Sequence, residues 1–335
     1  MATRPRWDVT VHADPFAVHH WSVWGGLVAL AGQGKVRLRH GDLGAPAGGG
    51  LWLRVDDRAG GSRTIWVDVA DRAPETSLRR DAAGSSWVRN AIAPVGRPLG
   101  FVAPLREGKV PRLAYLASAT RVAVARRDQH PLRAALWSFR PDRVPLTYAE
   151  VEHPPGGDAT VMFQVRCWEP GEGSNPADRE AVNDTRAALI RSLRREFGPR
   201  FLGGFQPLPY AQANYPDCLA TLPIERHRYI AAAQRCGVAV ASTGLHGSLP
   251  WKLAEYAAMS RAVVAERNAN AVPASHRGVF GEYSTVDECV AQCVALLEQP
   301  ELRLDRQEAA ARLWREHVRP DRLVARLLLA EFGED

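Results

Sequence analysis

Lysine is scarce in this chain. Lys35, Lys109 and Lys252 stand among 43 basic residues, and the rest are arginine. No apolar run approaches membrane-spanning length, so no transmembrane helix is expected. The opening residues, MATRPRWDVTVHADPF, carry neither a long apolar core nor a small-residue cleavage site. No signal peptide is expected there, and the expected location is the cytoplasm. The cysteines are five, odd in number and scattered: Cys167, Cys218, Cys236, Cys289 and Cys293. Cys289 and Cys293 lie at i,i+4 without a second pair or nearby histidines. That argues against a metal site and for buried thiols in a reducing compartment. There is no internal repeat and no low-complexity tract.

Net charge is +6, but the arginines are dispersed with acids between them and no aromatic-basic signature appears. Nucleic acid is therefore not expected as a partner. The bias toward Arg, Ala, Val and Gly is that of a GC-rich genome. Against it Lys252 stands out as a place for a compact point charge rather than a planar fork.

A length of 335 residues accommodates two domains. Residues 7–12 alternate as a strand, residues 18–30 read as an amphipathic helix, and residues 35–39 alternate again, which opens an α/β unit. Residues 51–55 and 64–69 read as strands around a hairpin-like turn at 56–62. Residues 71–111 are loop-rich, with Pro74, Pro94, Pro98 and Pro104. Residues 151–158 (VEHPPGGD) have the composition of a linker. Beyond it, strands at 160–166, 200–205, 237–241, 262–265 and 279–283 alternate with helices at 183–197, 224–236 and 285–297, a second α/β unit. Thr285 with Glu288 three residues on forms a capping box. Helices at 301–317 and 320–332 close the chain.

One stretch carries chemistry. Between the strand-like GVAVA at 237–241 and AVVA at 262–265 lies STGLHGSLPWKLAEY, residues 242–256. Gly244 and Gly247 mark a turn. Ser248 suits a helix N-cap and Pro250 a first turn, where its missing N–H is no loss. In such a strand-loop-helix unit, free backbone N–H groups and the positive helix end face an anion. Lys252 falls in the first turn and Glu255 three residues on, on the same face. A cation beside a phosphate and a carboxylate within reach of a ribose would bind a nucleotide. Arg166 ends the strand at 160–166. If that sheet is parallel, Arg166 opens onto the same crevice and reaches a diphosphate, or else it serves an interdomain or surface ion pair. In the first half, Asp14, His19 and His20 follow the first strand. A histidine there is a candidate base or acceptor ligand; otherwise Asp14 is a cap and the histidines have no role. Asp68 and Asp71 lie at or just after a strand end, lining the crevice or capping.

Two α/β halves, a helical C-terminus and this motif resemble the GT-B fold of nucleotide-sugar-dependent glycosyltransferases. Residues 245–264, LHGSLPWKLAEYAAMSRAVV, are similar to that family's EAMAxGxPVV segment and more so to its PWKLxEYxA version. The resemblance implies an α/β protein of GT-B type with two Rossmann-like domains facing a cleft. Residues 1–150 would bind the acceptor, residues 151–318 the nucleotide sugar, and residues 319–335 would cross back onto the first domain. It implies transfer of a sugar from a nucleotide-diphosphate sugar, as co-substrate, to a hydroxyl- or amine-bearing acceptor, with no metal and no cofactor, by a monomer or homodimer. Glu255 falls where the family binds ribose; Gly244, Gly247, Ser248 and Lys252 fall at the diphosphate, with Arg166 beside them. His246 would lie by the donor sugar or phosphate, and His19 or His20 by the acceptor hydroxyl, with Asp14 and Asp68 as further acceptor ligands. Two departures are plain. Retaining members carry a glutamate eight residues before the ribose-binding one, where this chain has Gly247. The family glycine before the following strand is replaced by Ser260-Arg261. The first departure leaves open a nucleotide- or sugar-binding protein without glycosyl transfer.

Overall fold

The computed structural model describes residues 5–12, 20–41, 51–69, 85–89, 97–102, 105–107, 145–171, 175–220, 222 and 225–333, with isolated positions between 116 and 136. The first sheet contains β1 (Trp7–His12), β2 (Val36–His40), β3 (Leu51–Asp57), β4 (Ser62–Asp68), β5 (Ser85–Val88) and β6 (Arg97–Pro98), in the order β2-β1-β3-β4-β5-β6. Helix α1 (Trp21–Gly32) carries the chain from β1 to β2, which run parallel. β3 is antiparallel to both β1 and β4, so this sheet is mixed, as the hairpin-like turn at 56–62 implies. The cause is local. A connection as short as the β3–β4 turn can only fold the chain back antiparallel, because a parallel crossover needs a dozen residues or more. That turn is closed by the Gly61 N–H, which donates to Asp57 Oδ1 at 2.6 Å.

The second sheet follows α2 (Tyr148–Val151). Its elements are β7 (Asp158–Val165), α3 (Pro176–Phe197), β8 (Phe201–Phe205), α4 (Pro209–Asn214), α5 (Arg226–Arg235), β9 (Cys236–Ala241), α6 (Lys252–Ala258), β10 (Ala262–Glu266), β11 (Gly281–Tyr283), α7 (Val286–Glu298) and α8 (Pro300–Leu313). Its order is β11-β10-β9-β7-β8 and every pairing is parallel. A separate apolar cluster covers each face. That is why β9, CGVAVA, is buried at every position and shows no alternation. Phe101, Leu105 and Tyr148 pack into one of these clusters although they precede residue 151.

After a π-helical turn at Trp314–Val318, α9 (Pro320–Glu331) returns to the first sheet and lies on α1. Its Leu323, Val324, Leu327 and Leu328 join Val9, Leu53 and Leu27 in the first core. The approach is close enough to require glycine. A Cβ on Gly26 would collide with the Pro320 carbonyl, and one on Gly25 with the Leu105 carbonyl. Close packing here outweighs the ~1 kcal/mol by which glycine disfavours a helix interior.

Three local expectations change. α3 starts at Pro176, well before residue 183, because the Asn175 side chain accepts from the Asp178 N–H at 3.2 Å and proline fits the first turn. Thr285 caps α7 by accepting from the Glu288 N–H, but the Glu288 carboxylate accepts from the Ser284 N–H instead of closing a box. α6 begins at Lys252 rather than beside Ser248, and no side chain caps it.

The Ser260-Arg261 departure has a clear structural role. Ser260 adopts the left-handed conformation (φ 55°) that glycine commonly fills, and its hydroxyl donates to the His153 carbonyl at 2.7 Å. Arg261 is fully buried, and its guanidinium donates to the carbonyls of Pro154, Gly156, Gln234, Cys236 and Met259. These bonds staple the linker between the two sheets to the second one.

Candidate functional site

In the second sheet the chain passes from β7 outward to β8, then back to β9 on the other side. The strand order therefore switches between the paired β7 and β9, and at such a switch point the crevice outside the carboxyl ends is where doubly wound sheets hold ligands. Three loops meet there: the one after β7 with Arg166 and Trp168, the one after β9 with the motif, and the one after β10 with Glu266, Asn268 and Asn270. Arg166 is exposed, its guanidinium 4.6 Å from the centre of the Trp168 ring.

A buried arginine from α3 ties the loops together. Arg186 donates to Ser242 Oγ at 3.0 Å, to the Arg166 carbonyl at 2.9 Å and to the Thr243 carbonyl at 2.8 Å. Burial pushes its pKa down to about 10, against the pull of Glu266. One turn earlier, Asn183 clasps the backbone of Trp168, accepting its N–H at 2.9 Å and donating to its carbonyl at 2.7 Å. Glu266 Oε2 accepts from the Thr243 N–H and hydroxyl at 2.7 and 2.9 Å. Backbone groups at both edges of the crevice are thus fixed before any ligand arrives.

The motif loop is a compact turn. The Gly244 N–H donates to the Ser248 carbonyl at 2.9 Å, and His246 and Gly247 both take left-handed conformations (φ 57° and 65°). Asp178, in the first turn of α3, accepts from the His246 N–H at 3.0 Å, with its carboxylate 3.6 Å from the His246 ring Nδ1. Asn268 and Asn270 both donate to the Gly247 carbonyl. Ser248 is buried at 1 % exposure, and its hydroxyl lies against Gly244 without a partner.

Lys252 and Glu255 sit together, but against α5. The Lys252 ammonium donates to the Tyr229 hydroxyl at 2.7 Å and lies 4.0 Å from that ring's centre. Burial lowers its pKa to about 8, with Arg226 and Arg186 adding to the effect and Glu255 opposing it. Glu255 is buried, and its Oε1 accepts from Arg226 at 2.8 Å. Glu255 thus pairs with Arg226, while the Lys252 ammonium rests on Tyr229 and feels Glu255 only through space.

The first half approaches this site through Arg89, which follows β5. Its guanidinium donates to the Val69 carbonyl at 3.0 Å and to the Leu249 carbonyl inside the motif, and it faces the Trp251 ring at 5.7 Å. Asp68 ends β4 beside it and is buried, its carbonyl accepting from the Arg89 N–H at 2.9 Å. His20 is buried at the start of α1. Asp14, His19 and Asp71 lie outside the described residues.

Arg89, Asn183, Arg186, Arg226, Tyr229 and Glu266 were not anticipated from sequence. Asn183 and Arg186 left a readable trace, since they occupy the stripe that continues as Ala187, Ile190 and Leu193, all buried. An arginine on an apolar stripe signals a buried polar task. Arg89, Arg226 and Tyr229 left none, because each meets the motif only across the fold.

Two α/β units joined by a short linker, a doubly wound second sheet, and a terminal helix that returns to the first unit make a fold of GT-B type. No family model matches the chain, and no curated protein matches its sequence. Solved structures to which it is similar include the following three. One is a Listeria monocytogenes protein ascribed UDP-N-acetylglucosamine 2-epimerase activity, at 10% identity and TM-score 0.39, over 98% of this chain and 96% of that one. Another is AviGT4, a glycosyltransferase involved in avilamycin A biosynthesis, at 16% identity and TM-score 0.36, over 93% and 88%. The third is the GtfA/B complex, at 12% identity and TM-score 0.33, over 87% and 70%. At those scores the likenesses carry no chemistry, and the fold assignment rests on strand order and the crossing helix. Among the described residues no cluster of three or more His, Cys, Asp or Glu is arranged to hold a metal, and no helix is long and apolar enough to cross a membrane. All five cysteines are buried and free.

Proposed function

We propose that the protein transfers a sugar from a nucleotide-diphosphate sugar to a hydroxyl- or amine-bearing acceptor. The second unit holds the donor and the first the acceptor. The observation that carries this reading is the convergence of Arg166, the rigid loop with Gly244 and Gly247, and the Lys252–Glu255–Arg226 cluster at the carboxyl ends of β7 and β9. In the reaction the bond from sugar C1 to the diphosphate breaks, and its electron pair leaves with the phosphate oxygen. The acceptor atom bonds to C1 and gives up a proton. Arg166 and Lys252 stabilise the negative charge of the leaving diphosphate, an electrostatic role that a pre-fixed site performs without reorganisation. Arg226 engages Glu255 Oε1, which leaves Oε2 for the ribose hydroxyls. Ser248, being buried, supports the loop through Gly244 rather than touching phosphate by its hydroxyl. His246, oriented by Asp178, belongs beside the donor sugar. His19 or His20, with Asp14 and Asp68, belongs on the acceptor side, where a histidine would take the acceptor proton if transfer inverts C1.

A second reading keeps the nucleotide site and drops the transfer. The observation favouring it is Gly247 at the place of a family glutamate. Thermal unfolding measured with UDP, GDP, dTDP, ADP and their sugars tests the shared part: a raised midpoint with at least one is expected, and none with any of them overturns both readings. Release of free nucleoside diphosphate in the presence of acceptors then decides between them.

A further inference from the structure

Lys252 opens α6 and is half-buried. Its ammonium faces charged and titratable groups from three helices: Glu255 and Tyr256 on α6 itself, Arg226 and Tyr229 on α5, and Arg186 on α3. The one carboxylate in that set is already engaged, since Glu255 pairs with Arg226 at 2.8 Å. Among the described residues the ammonium therefore has no carboxylate of its own. Tyr229 holds it instead, through a hydroxyl at 2.7 Å and a ring whose centre is 4.0 Å away. The Tyr256 ring stands further off, at 5.9 Å.

Tyr229 is itself fixed. It is buried on α5, and its hydroxyl directs its proton to the Tyr256 hydroxyl at 3.2 Å. The order of donation is forced. An ammonium can only donate, so the Tyr229 oxygen accepts from it and the phenolic O–H points onward. A hydroxyl oxygen and a ring face both favour a positive charge, against the burial and the two arginines that oppose it. Tyr229 takes one of the three ammonium N–H groups, which leaves two for a ligand. A half-buried cation without a counter-ion is short of an anion.

We propose that Tyr229 is a positioning residue of the diphosphate site, fixing the Lys252 ammonium in place and in its charged form so that its two other N–H groups meet phosphate oxygens. The donor reading supplies the identity of the anion, and the proposal rests on it there. A tyrosine that served packing alone would need its ring and not its hydroxyl. The Tyr229 ring does sit in the second unit's core, with Ile230 and Leu253. Its hydroxyl is spent on Lys252 and Tyr256.

Lysine side-chain NMR of the full chain tests the link without a nucleotide. The chain has three lysines, Lys35, Lys109 and Lys252, so the Lys252 signal is assigned by its loss in Lys252→Arg. Tyr229→Phe keeps the ring and removes the acceptor. In that variant the Lys252 titration midpoint is expected to fall by about one pH unit, the worth of a hydrogen bond to a charged group. Its affinity for the nucleoside diphosphate that the wild type binds is expected to fall about threefold at pH 8 and to hold at pH 6, where both proteins carry the charge. A purely structural loss would be equal at both pH values. An unchanged or raised midpoint, an affinity loss equal at pH 6 and pH 8, or no loss at pH 8 overturns the proposal. If Tyr229→Phe fails to fold, Tyr256→Phe, which removes the acceptor of the Tyr229 proton, is read by the same criteria, with a smaller fall expected. A fall in the midpoint in a protein that binds no nucleoside diphosphate keeps the Tyr229–Lys252 link and removes the donor reading. Nucleotide binding with an unmoved midpoint removes the role of Tyr229 alone.

Discussion

The two sheets bury their cores by different means. The second is parallel throughout, sandwiched between two apolar clusters, and its own helices supply most of its cover. The first is mixed, and its core is completed by α9, a helix that the chain delivers only after the second unit is finished. A strand buried on both faces, such as β9, forms a stiff platform, and the motif loop rises directly from its end. A unit finished by a distant segment instead depends on the chain's last residues. Rigid support thus falls under the motif loop, and long-range dependence falls on the first unit.

Leu327→Ala tests that contrast most severely. Removing a fully buried leucine is expected to destabilise the protein by about 2–5 kcal/mol. Hydrogen exchange should show the loss in α1 and β1 first, and equal loss of protection in β9 would mean that the two units unfold as one block. Arg186→Met comes next. It keeps much of the volume but strips three donors from Ser242 and from the Thr243 and Arg166 carbonyls, for an expected cost of about 2–3 kcal/mol by urea denaturation. If nucleoside diphosphate affinity survives that change intact, the buried network does not order the crevice.

Lys252 sharpens the comparison through charge. Lys252→Ala is expected to lower nucleoside diphosphate affinity about tenfold, or ~1.4 kcal/mol, while nucleoside affinity holds; equal losses for both would remove the phosphate contact. Its pKa of about 8 sets the sign of the pH dependence. Below that value the ammonium is charged and attracts the diphosphate, so affinity falls as pH rises from 7 to 9. Lys252→Arg should flatten that fall, since arginine keeps its charge. The smallest effect is expected at the Arg191–Asp217 pair, 2.6 Å long but exposed on both sides. Asp217→Ala should change stability by no more than ~1 kcal/mol, because solvent screens an exposed pair.

Much of the second unit was legible residue by residue. The apolar run at 237–241 reads as a strand, and Thr285 marked the start of its helix. The hairpin between β3 and β4 was equally plain. The place of that hairpin in the middle of the first sheet, with β3 against β1, was not legible, because strand order depends on which strands pair, a non-local matter. At the motif, the sequence puts Lys252 and Glu255 in one helix, as the structure does, but sets Ser248 as the cap of that helix. The left-handed pair His246 and Gly247 instead folds the loop back on itself, burying the Ser248 hydroxyl and starting the helix later.

Local patterning alone therefore determined which segments are strands or helices, the likeness of residues 245–264 to a nucleotide-sugar motif, and the lone lysine within it. Those features depend on periodicity and side-chain chemistry along a few turns of chain. The tertiary structure decided that Arg226 claims one oxygen of Glu255, that Tyr229 cradles Lys252, and that Arg89 reaches the motif from the other unit. Those partners stand 23 to 160 positions apart in sequence. Only the crossing of the chain between sheets brings them within hydrogen-bonding distance, and no local pattern records that meeting.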